Sequence, residues 1–244
     1  MKYVPAFLLV FFSVIFTGCF DILEEISFNN DGSGNYSLTF DMNDMINDPF
    51  MKEMMLESIK NDANLSPDED GHLELDSMVY LKDDPQFAKF KNKRTMWESA
   101  KMHTLISEEK GKMFINFTFD FSEVGDIETF YKSLNENQES QNTFAGFDQV
   151  VGASTFAFKK KSLTRKAVAQ SKQTTADMNS DDMAMLKMFM TDAHLKTTYR
   201  LPGKVKNSSI PNSQVDNNQV TVTTPLVDIM EGKANMEGEI KFKN

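Results

Sequence analysis

Methionine is the residue type whose number and spacing first suggest chemistry, since the chain has 17 methionines among 244 residues. Thioether sulfurs are soft ligands that suit Cu(I). Three pairs have the three-residue spacing that places two sulfurs on one helix face: Met42/Met45, Met51/Met54 and Met185/Met188. Large apolar residues interleave with these pairs, and flexible methionine side chains fill irregular helix cores. We therefore expect core packing and predict no metal site and no cofactor, with copper binding as the alternative.

A short acidic run at residues 68–70, followed by Gly71 and His72, has the composition of a calcium loop. An EF-hand loop with Gly71 at its sixth position needs acidic ligands at its first and twelfth positions. Ser66 and Ser77 occupy those positions. The pattern is not met, and we expect a solvated acidic loop.

One basic cluster, residues 159–161 with Arg165 and Lys166, stands in an otherwise acidic chain. Alternate residues of a strand face opposite ways, so only part of the cluster can form one surface. We name Lys159, Lys161 and Arg165 as candidate ligand contacts for lipid phosphates, acidic sugars or an acidic partner. The alternative is an exposed strand whose lysines discourage pairing with other chains.

Residues for catalysis do not form any recognisable motif. The three histidines, His72, His103 and His194, lie far apart in the sequence. There is no His-Glu-x-x-His pair, no Gly-x-Ser-x-Gly turn and no phosphate-binding glycine loop. A catalytic triad can assemble from distant positions, but these observations favour a protein that is not an enzyme.

The amino-terminal segment predicts export and lipid attachment. Residues 4–16 are almost wholly apolar and follow Lys2. The run is shorter than the ~20 residues that a membrane-spanning helix needs, and it matches the hydrophobic region of a signal peptide. Thr17, Gly18 and Cys19 follow directly and resemble the lipobox of bacterial lipoproteins. That resemblance implies cleavage between Gly18 and Cys19, a diacylglycerol on the Cys19 sulfur, and often an acyl chain on its amine.

Composition limits what the mature chain, residues 19–244, can be. Cys19 is the single cysteine, so the domain has no disulfide and no cysteine-based metal site. The net charge is −10, and it becomes more negative when Lys2 is removed. An acidic chain is a poor nucleic-acid binder and adsorbs weakly to anionic membranes as a whole. We therefore assign membrane attachment to the lipid.

Alternating apolar and polar residues predict paired strands separated by helices. A first strand–strand–helix unit is repeated by a second, and a long strand is predicted over residues 154–166. The predicted strands cover residues 22–28, 36–42, 76–82, 100–106, 113–121, 154–166, 195–201, 204–207, 219–223 and 236–242. The predicted helices cover 49–60, with Asp48 as the amino-terminal cap, 85–91, 126–134, 181–191 and 226–230. Together they predict an α+β fold with mainly antiparallel sheet, built from hairpins and carrying Met/Phe-rich helices. The polar stretch at 135–152 is the place where the domain could subdivide.

Several segments together resemble a family of uncharacterised envelope lipoproteins from Bacteroidetes-type bacteria. They are the lipobox, the Asp31-Gly32-Ser33-Gly34 hairpin, a Met-rich helix, Asp76-Ser77 before a strand, and Tyr199-Arg200-Leu201-Pro202-Gly203-Lys204-Val205. The hairpins and the Leu-Pro-Gly-Lys-Val element are also similar to LppM-like lipoprotein domains, and that resemblance implies lipid binding. Neither resemblance implies catalytic residues.

The sequence thus predicts a membrane-anchored envelope lipoprotein that acts as a non-enzymatic binding or assembly module. Its partners would be the membrane, through lipidated Cys19, and an envelope protein or lipid, but not nucleic acid. We expect the outer membrane, on its periplasmic or surface face. A carrier of lipid or another hydrophobic ligand is the first alternative, and an envelope hydrolase is the second.

Overall fold

Two sheets and four short helices make up the described part of the protein. A computed structural model describes residues 20–49, 51–53, 72–83, 96–136, 154–167 and 191–243. The strands are β1 (Asp21–Phe28), β2 (Gly34–Asp41), β3 (Glu74–Tyr80), β4 (Lys101–Ser107), β5 (Lys112–Phe121), β6 (Ser154–Lys159), β7 (Ser162–Ala167), β8 (His194–Arg200), β9 (Val205–Ser208), β10 (Ser213–Asp216), β11 (Gln219–Pro225) and β12 (Gly238–Phe242). The helices are α1 (Asn43–Asn47), α2 (Met96–Ser99), α3 (Gly125–Glu136) and α4 (Leu226–Met230). The α+β class predicted from the sequence is confirmed.

The larger sheet has eight strands in the order β10-β11-β8-β1-β2-β5-β4-β3. All neighbours are antiparallel except β1 and β8, which run parallel with Asp21 opposite His194. The predicted hairpins β1/β2 and β4/β5 lie side by side because β2 pairs with β5. The first strand of the domain is therefore in the middle of the sheet, between β2 and β8.

The hairpin between β1 and β2 follows the turn chemistry that its residues predict. Gly32 has φ +89°, a left-handed conformation that glycine adopts without a steric penalty. The Asp31 Oδ1 atom accepts a hydrogen bond from the Ser33 amide at 3.0 Å. Gly34 then meets β1 so closely that a Cβ atom there would lie 1.8 Å from the Ser27 carbonyl oxygen.

One face of the larger sheet forms the main core, because apolar residues alternate along its central strands. On β5 the predicted face is confirmed, with Phe117, Phe119 and Phe121 buried and Ile115 half-buried. Helix α3 covers this face with the buried residues Ile127, Phe130 and Tyr131. The same core includes residues on both sides of the 135–152 stretch, of which residues 137–152 lie outside the described part.

The smaller sheet has the order β6-β7-β12-β9 and packs on the same core. Phe158 of β6 stacks on Phe28 of β1 with ring centroids 5.1 Å apart. The prediction of one long strand over 154–166 was wrong: Lys160 and Lys161 form a turn, and β6 and β7 pair as an antiparallel hairpin. The physical reason is that one face must stay buried. The aromatic residues Phe156 and Phe158 occupy even positions and Leu163 an odd one, and the 160–161 turn reverses the chain so that both sets face the core.

Asp48 caps a helical turn as predicted, because its Oδ1 accepts a hydrogen bond from the Met51 amide at 2.9 Å. Met51 is buried and Met42 packs half-buried against the core, which agrees with the packing role. The described residues do not include Cys19, Met54, Met185, Met188, the helix predicted at 85–91 or residues 181–190 of the helix predicted at 181–191. Among the residues that are described, no helix is long and apolar enough to cross a membrane.

Candidate functional site

The smaller sheet carries a concentration of lysines on its outward face and at one end, which we call the lysine surface. Its seven members are all exposed: Lys159, Lys160, Lys161, Lys204, Lys206, Lys241 and Lys243. Only the first three are consecutive in the sequence. The fold adds four more from β9, β12 and their flanking residues.

Sheet geometry explains why these lysines lie together. Lys159 and Lys241 both lie opposite Ser162, on its two sides, and therefore share its outward face. The register shifts between Lys241 and Phe242, and this bulge leaves Lys206 beside them. Neighbouring strands are about 4.8 Å apart, so Lys159 and Lys241 are roughly 10 Å apart at the backbone.

Backbone hydrogen bonds bring the remaining members to the end of the sheet. The Phe242 amide donates to the Lys161 carbonyl oxygen at 3.1 Å, and the Lys243 amide donates to the Lys204 carbonyl oxygen at 2.9 Å. The Lys160–Lys161 turn, the start of β9 and the end of β12 are thereby held against each other. The lysine surface is built on rigid backbone, although its side chains extend into solvent.

Few acids neutralise this charge. Glu239 is the one acidic residue in the four strands of the smaller sheet, and it pairs with Lys241 at 3.3 Å. Within the described residues, the other six lysines of the surface make no ion pair. The strands of the larger sheet, by contrast, contain more acids than bases. A net charge of −10 therefore conceals a basic region at one side of the protein.

Arg165 is separate from the lysine surface, contrary to the sequence-based grouping with Lys159 and Lys161. Arg165 is two residues after the buried Leu163 on β7, so both side chains lie on the inward face of that strand. Only 2% of Arg165 is exposed. The guanidinium lies instead in a buried polar cluster between the two sheets, which we call the Glu24 cluster. Its members are Glu24, Tyr36, Tyr131, Ser154, Arg165, Thr197 and Tyr199.

The guanidinium side of the Glu24 cluster joins β7 to the larger sheet. Arg165 Nη1 donates to the Tyr199 hydroxyl at 2.7 Å and lies 3.4 Å from Glu24 Oε2. Arg165 Nε donates to Ser154 Oγ at 3.0 Å, and Thr197 Oγ1 donates to Glu24 Oε2 at 2.7 Å. Arg165 and Glu24 are both buried. Each charge is therefore stabilised by the other and by neutral hydroxyl groups.

The tyrosine side of the cluster joins helix α3 to the same carboxylate. The Tyr131 hydroxyl donates to Glu24 Oε1 at 2.5 Å, and the Tyr36 hydroxyl donates to the same oxygen at 3.3 Å. The two hydroxyl groups are also in hydrogen-bond contact with each other. A single carboxylate thus connects β1, β2, α3, β7 and β8.

Protonation in the cluster favours a structural role over acid–base chemistry. Burial, and then the Glu24 charge, raise the pKa values of Tyr36 and Tyr131 well above that of a free phenol. Burial raises the pKa of Tyr199 to about 12, although the Arg165 charge opposes the shift. Burial works against the charged Arg165 guanidinium, but Tyr199 and Glu24 outweigh it and the arginine pKa is raised. The phenols stay neutral at physiological pH, so none of them is prepared to act as a base.

The three raised tyrosine pKa values predict steep alkaline unfolding. In the unfolded chain these phenols ionise near pH 10, whereas in the folded protein they stay protonated to higher pH. Their stabilising contribution is therefore complete below pH 10 and is lost as pH rises through the folded values. We expect the phenolate absorbance at 295 nm to rise together with loss of the far-ultraviolet circular dichroism signal.

The control for that titration is the same chain in denaturant, where the phenols should ionise near their ordinary value. Reversible ionisation of Tyr36, Tyr131 and Tyr199 near pH 10, with an unchanged circular dichroism spectrum, would contradict the buried cluster. Replacing Tyr36 or Tyr131 with phenylalanine should lower the absorbance change that accompanies unfolding by the contribution of one tyrosine.

The three histidines are at three different places. His72 precedes β3, with Nδ1 3.8 Å from Glu108 Oε2; His103 is on β4, with Nε2 2.8 Å from Asp76 Oδ1. His194 begins β8, four strand positions away from β4 across the sheet, or roughly 19 Å. Each histidine has a carboxylate neighbour among the described residues, and the three do not converge.

No group of three or more His, Cys, Asp or Glu side chains in the described segments has the arrangement of a metal site. His72 is the described end of the acidic run at 68–72, and the rest of that run lies outside the described residues. Ser77 is on β3 opposite Thr104.

The sequence did contain a signal for the features that were missed. Glu24 is in phase with the buried Ile22 and Ile26, and Arg165 is in phase with Leu163. A charged residue in phase with an apolar strand face indicates a buried partner. The Lys-x-Lys spacing at 204/206 and at 241/243 places both lysines of each pair on one strand face.

No family model matches the chain, and no curated protein is significantly similar in sequence. Among solved structures, the chain is similar to the folded domain of the LppM protein of Mycobacterium tuberculosis, determined by NMR, with a TM-score of 0.45 and 10% identity over 95% of each chain. The resemblance to Bacteroidetes-type lipoproteins stays a prediction.

Proposed function

We propose that this protein is a lipid-anchored bacterial envelope protein whose domain is a non-enzymatic binding or assembly module. The observation that carries the proposal is the position of Cys19, directly after an export signal and two residues before β1. A diacylglyceryl cysteine provides two buried chains, which is enough for stable anchoring. Within the envelope, the outer membrane is the proposed location.

The binding role is supported by the lysine surface and by the chemistry of the polar interior. The surface offers exposed positive charge on a rigid sheet, which suits an anionic ligand. The Glu24 cluster is buried, its phenols are neutral, and Arg165 ties the smaller sheet to the larger one. The described residues thus contain a candidate contact surface and a supporting core cluster, in keeping with a module that binds without chemical turnover.

A lipid or hydrophobic-ligand carrier remains a second candidate because of one specific observation. At the β3–β4 end of the larger sheet, the inward side chains Val79, Met102 and Ile115 are only half-buried. Apolar side chains on an inward face are normally buried more completely. Lipid extraction of the purified protein followed by mass spectrometry would support a carrier if one lipid class co-purified in stoichiometric amount, and would reject it if none did.

The anchor proposal predicts that Cys19→Ala abolishes lipid labelling. Cells supplied with an alkyne-modified fatty acid should label the wild-type protein, which should partition into the detergent phase of Triton X-114. The Cys19→Ala variant should stay unlabelled because it lacks the sulfur that carries the diacylglycerol. Membrane sedimentation alone does not decide the matter, since an uncleaved signal segment is itself apolar.

Thr17→Ala is the matched control, because it keeps a small residue before the cysteine and leaves the thiol in place. It should be labelled like the wild type. Equal labelling of Cys19→Ala and wild type would reject the proposed anchor. Protease treatment of intact cells would then show on which face of the membrane the anchored domain lies.

A further inference from the structure

We propose that the lysine surface is a second membrane contact, which binds the anionic phosphate headgroups of the membrane that holds the lipid anchor. The inference deepens the proposed function and rests on the anchor at Cys19. It concerns the orientation of the domain on the membrane, which the anchor alone does not determine.

The chain leaves little distance between the anchor and the fold. Phe20 is the one residue between Cys19 and β1, so at most about 7 Å of chain separates Cys19 from Asp21. The domain cannot move away from the headgroups and can only tilt on them. Membrane phosphates are therefore the polyanion at highest effective concentration around every face of the domain.

The lysine surface is at the other end of β1 from the anchor. Phe158, next to Lys159, stacks on Phe28 at the last position of β1. Gly32, in the turn after β1, lies so close to Phe158 that a Cβ atom added to it would be 2.9 Å from the ring. Strand β1 has 8 residues, and at ~3.3 Å per residue it separates the anchor and the lysines by roughly 25 Å. Contact at both ends requires the domain to lie with β1 along the membrane.

The residue types favour phosphate headgroups over a protein partner. The exposed basic residues of the smaller sheet and its 160–161 turn are all lysines, since Arg165 is buried, and lysine is depleted at protein interfaces, where Tyr, Trp and Arg are enriched. Among described residues, the exposed large apolar side chains Met78, Tyr80 and Val215 are on other strands, so they supply no anchor within the lysine surface. Lysine is a flexible point charge that suits phosphate oxygens without a fixed geometry.

The charge distribution favours one face of the domain for contact with the headgroups. The strands of the larger sheet contain more acids than bases, whereas those of the smaller sheet contain one acid, Glu239. Anionic headgroups repel the more acidic sheet and attract the lysine surface. The acidic net charge predicts weak adsorption of the protein as a whole. That prediction does not apply to the lysine surface, where six of the seven lysines make no ion pair within the described residues.

The test uses the mature chain from residue 19 with Cys19→Ser, so that no lipid contributes. Binding is measured by sedimentation with vesicles of phosphatidylcholine alone or with about 30% phosphatidylglycerol. We expect binding only to the anionic vesicles, and its loss at about 0.5 M salt, where charges are screened over a few ångströms. Each lysine near an anionic surface contributes about fivefold to partitioning.

The decisive variant is Lys159→Gln/Lys160→Gln/Lys161→Gln, which should weaken partitioning by at least about tenfold. Its matched control is Lys110→Gln/Lys112→Gln/Lys196→Gln, which removes the same charge from exposed positions on the larger sheet and its turn. The control should bind within about twofold of the parent chain. Circular dichroism should be unchanged in both, because every substituted side chain is exposed.

Four results would overturn the inference: no binding to anionic vesicles, equal weakening by both triple variants, binding that persists in high salt, or displacement from vesicles by a soluble acidic polysaccharide that the protein prefers. Failure of the anchor is distinguishable from failure of the surface. The first appears only as loss of fatty-acid labelling in cells, whereas the second appears only with vesicles and the lipid-free chain.

Discussion

Replacing Arg165 with methionine is expected to lower the free energy of unfolding by about 3–5 kcal/mol. The substitution keeps an unbranched side chain of similar length but removes the guanidinium that neutralises Glu24. Glu24 is 0% exposed, so its charge would be left in the core without a cationic partner. Urea denaturation followed by circular dichroism would measure the change, with the slope compared between variants to confirm that the same surface unfolds.

Two companion variants separate the buried charge from general packing. Lys166→Met changes the neighbouring exposed residue on β7 and should alter stability by less than about 0.5 kcal/mol. Glu24→Gln combined with Arg165→Met should recover part of the loss, because the amide oxygen still accepts hydrogen bonds from Tyr131 and no unpaired charge remains. A single Arg165→Met variant as stable as Lys166→Met would contradict the Glu24 cluster as described.

Truncation of Phe130 to alanine is the second change with a large expected effect, also about 3–5 kcal/mol. Phe130 on α3 is 0% exposed, and its ring centroid is 4.9 Å from that of Phe119 and 5.8 Å from that of Phe117. It also contacts the rings of Tyr36 and Trp97. Removing it leaves a cavity between the helix and the sheet that the surrounding aromatic rings cannot fill without moving.

Lys132→Ala is the control for this variant, since it is on the same helix and exposed. It loses an ion pair with Glu128, four residues earlier, which contributes only about 0.3–0.5 kcal/mol on a helix surface. Thermal unfolding would compare the two variants. If Phe130→Ala and Lys132→Ala shifted the midpoint equally, α3 would not be fastened to the sheet through this ring.

The hairpins were predictable because their physical basis is local. Residues 22–28 and 36–42 alternate, and the loop between them is dense in Asn, Asp and Gly. The same reasoning predicted β4, β5 and α3 within two residues. It did not predict β10, whose four residues have little apolar pattern to distinguish them from a loop.

The non-local features could not be obtained in this way. The parallel pairing of β1 with β8 joins residues more than 170 positions apart, such as Asp21 and His194, and nothing in either segment specifies the other. The lysine surface depends on the same kind of information, because Lys204 and Lys243 meet Lys161 only through the sheet. Lys159 and Lys161 were correctly found as exposed basic residues, but Arg165 was grouped with them because the turn at 160–161 was not recognised.

The central position of β1 has a mechanical consequence. A pull applied through the amino terminus acts along β1, which is paired over 8 positions with β2 on one side and 7 positions with β8 on the other. Such a pull shears both ladders at once, so that many hydrogen bonds must fail together rather than one after another. A strand at a sheet edge, pulled across its length, would instead peel away. If Cys19 carries the proposed lipid, a force transmitted through it should extract the acyl chains from the bilayer before it unfolds the domain.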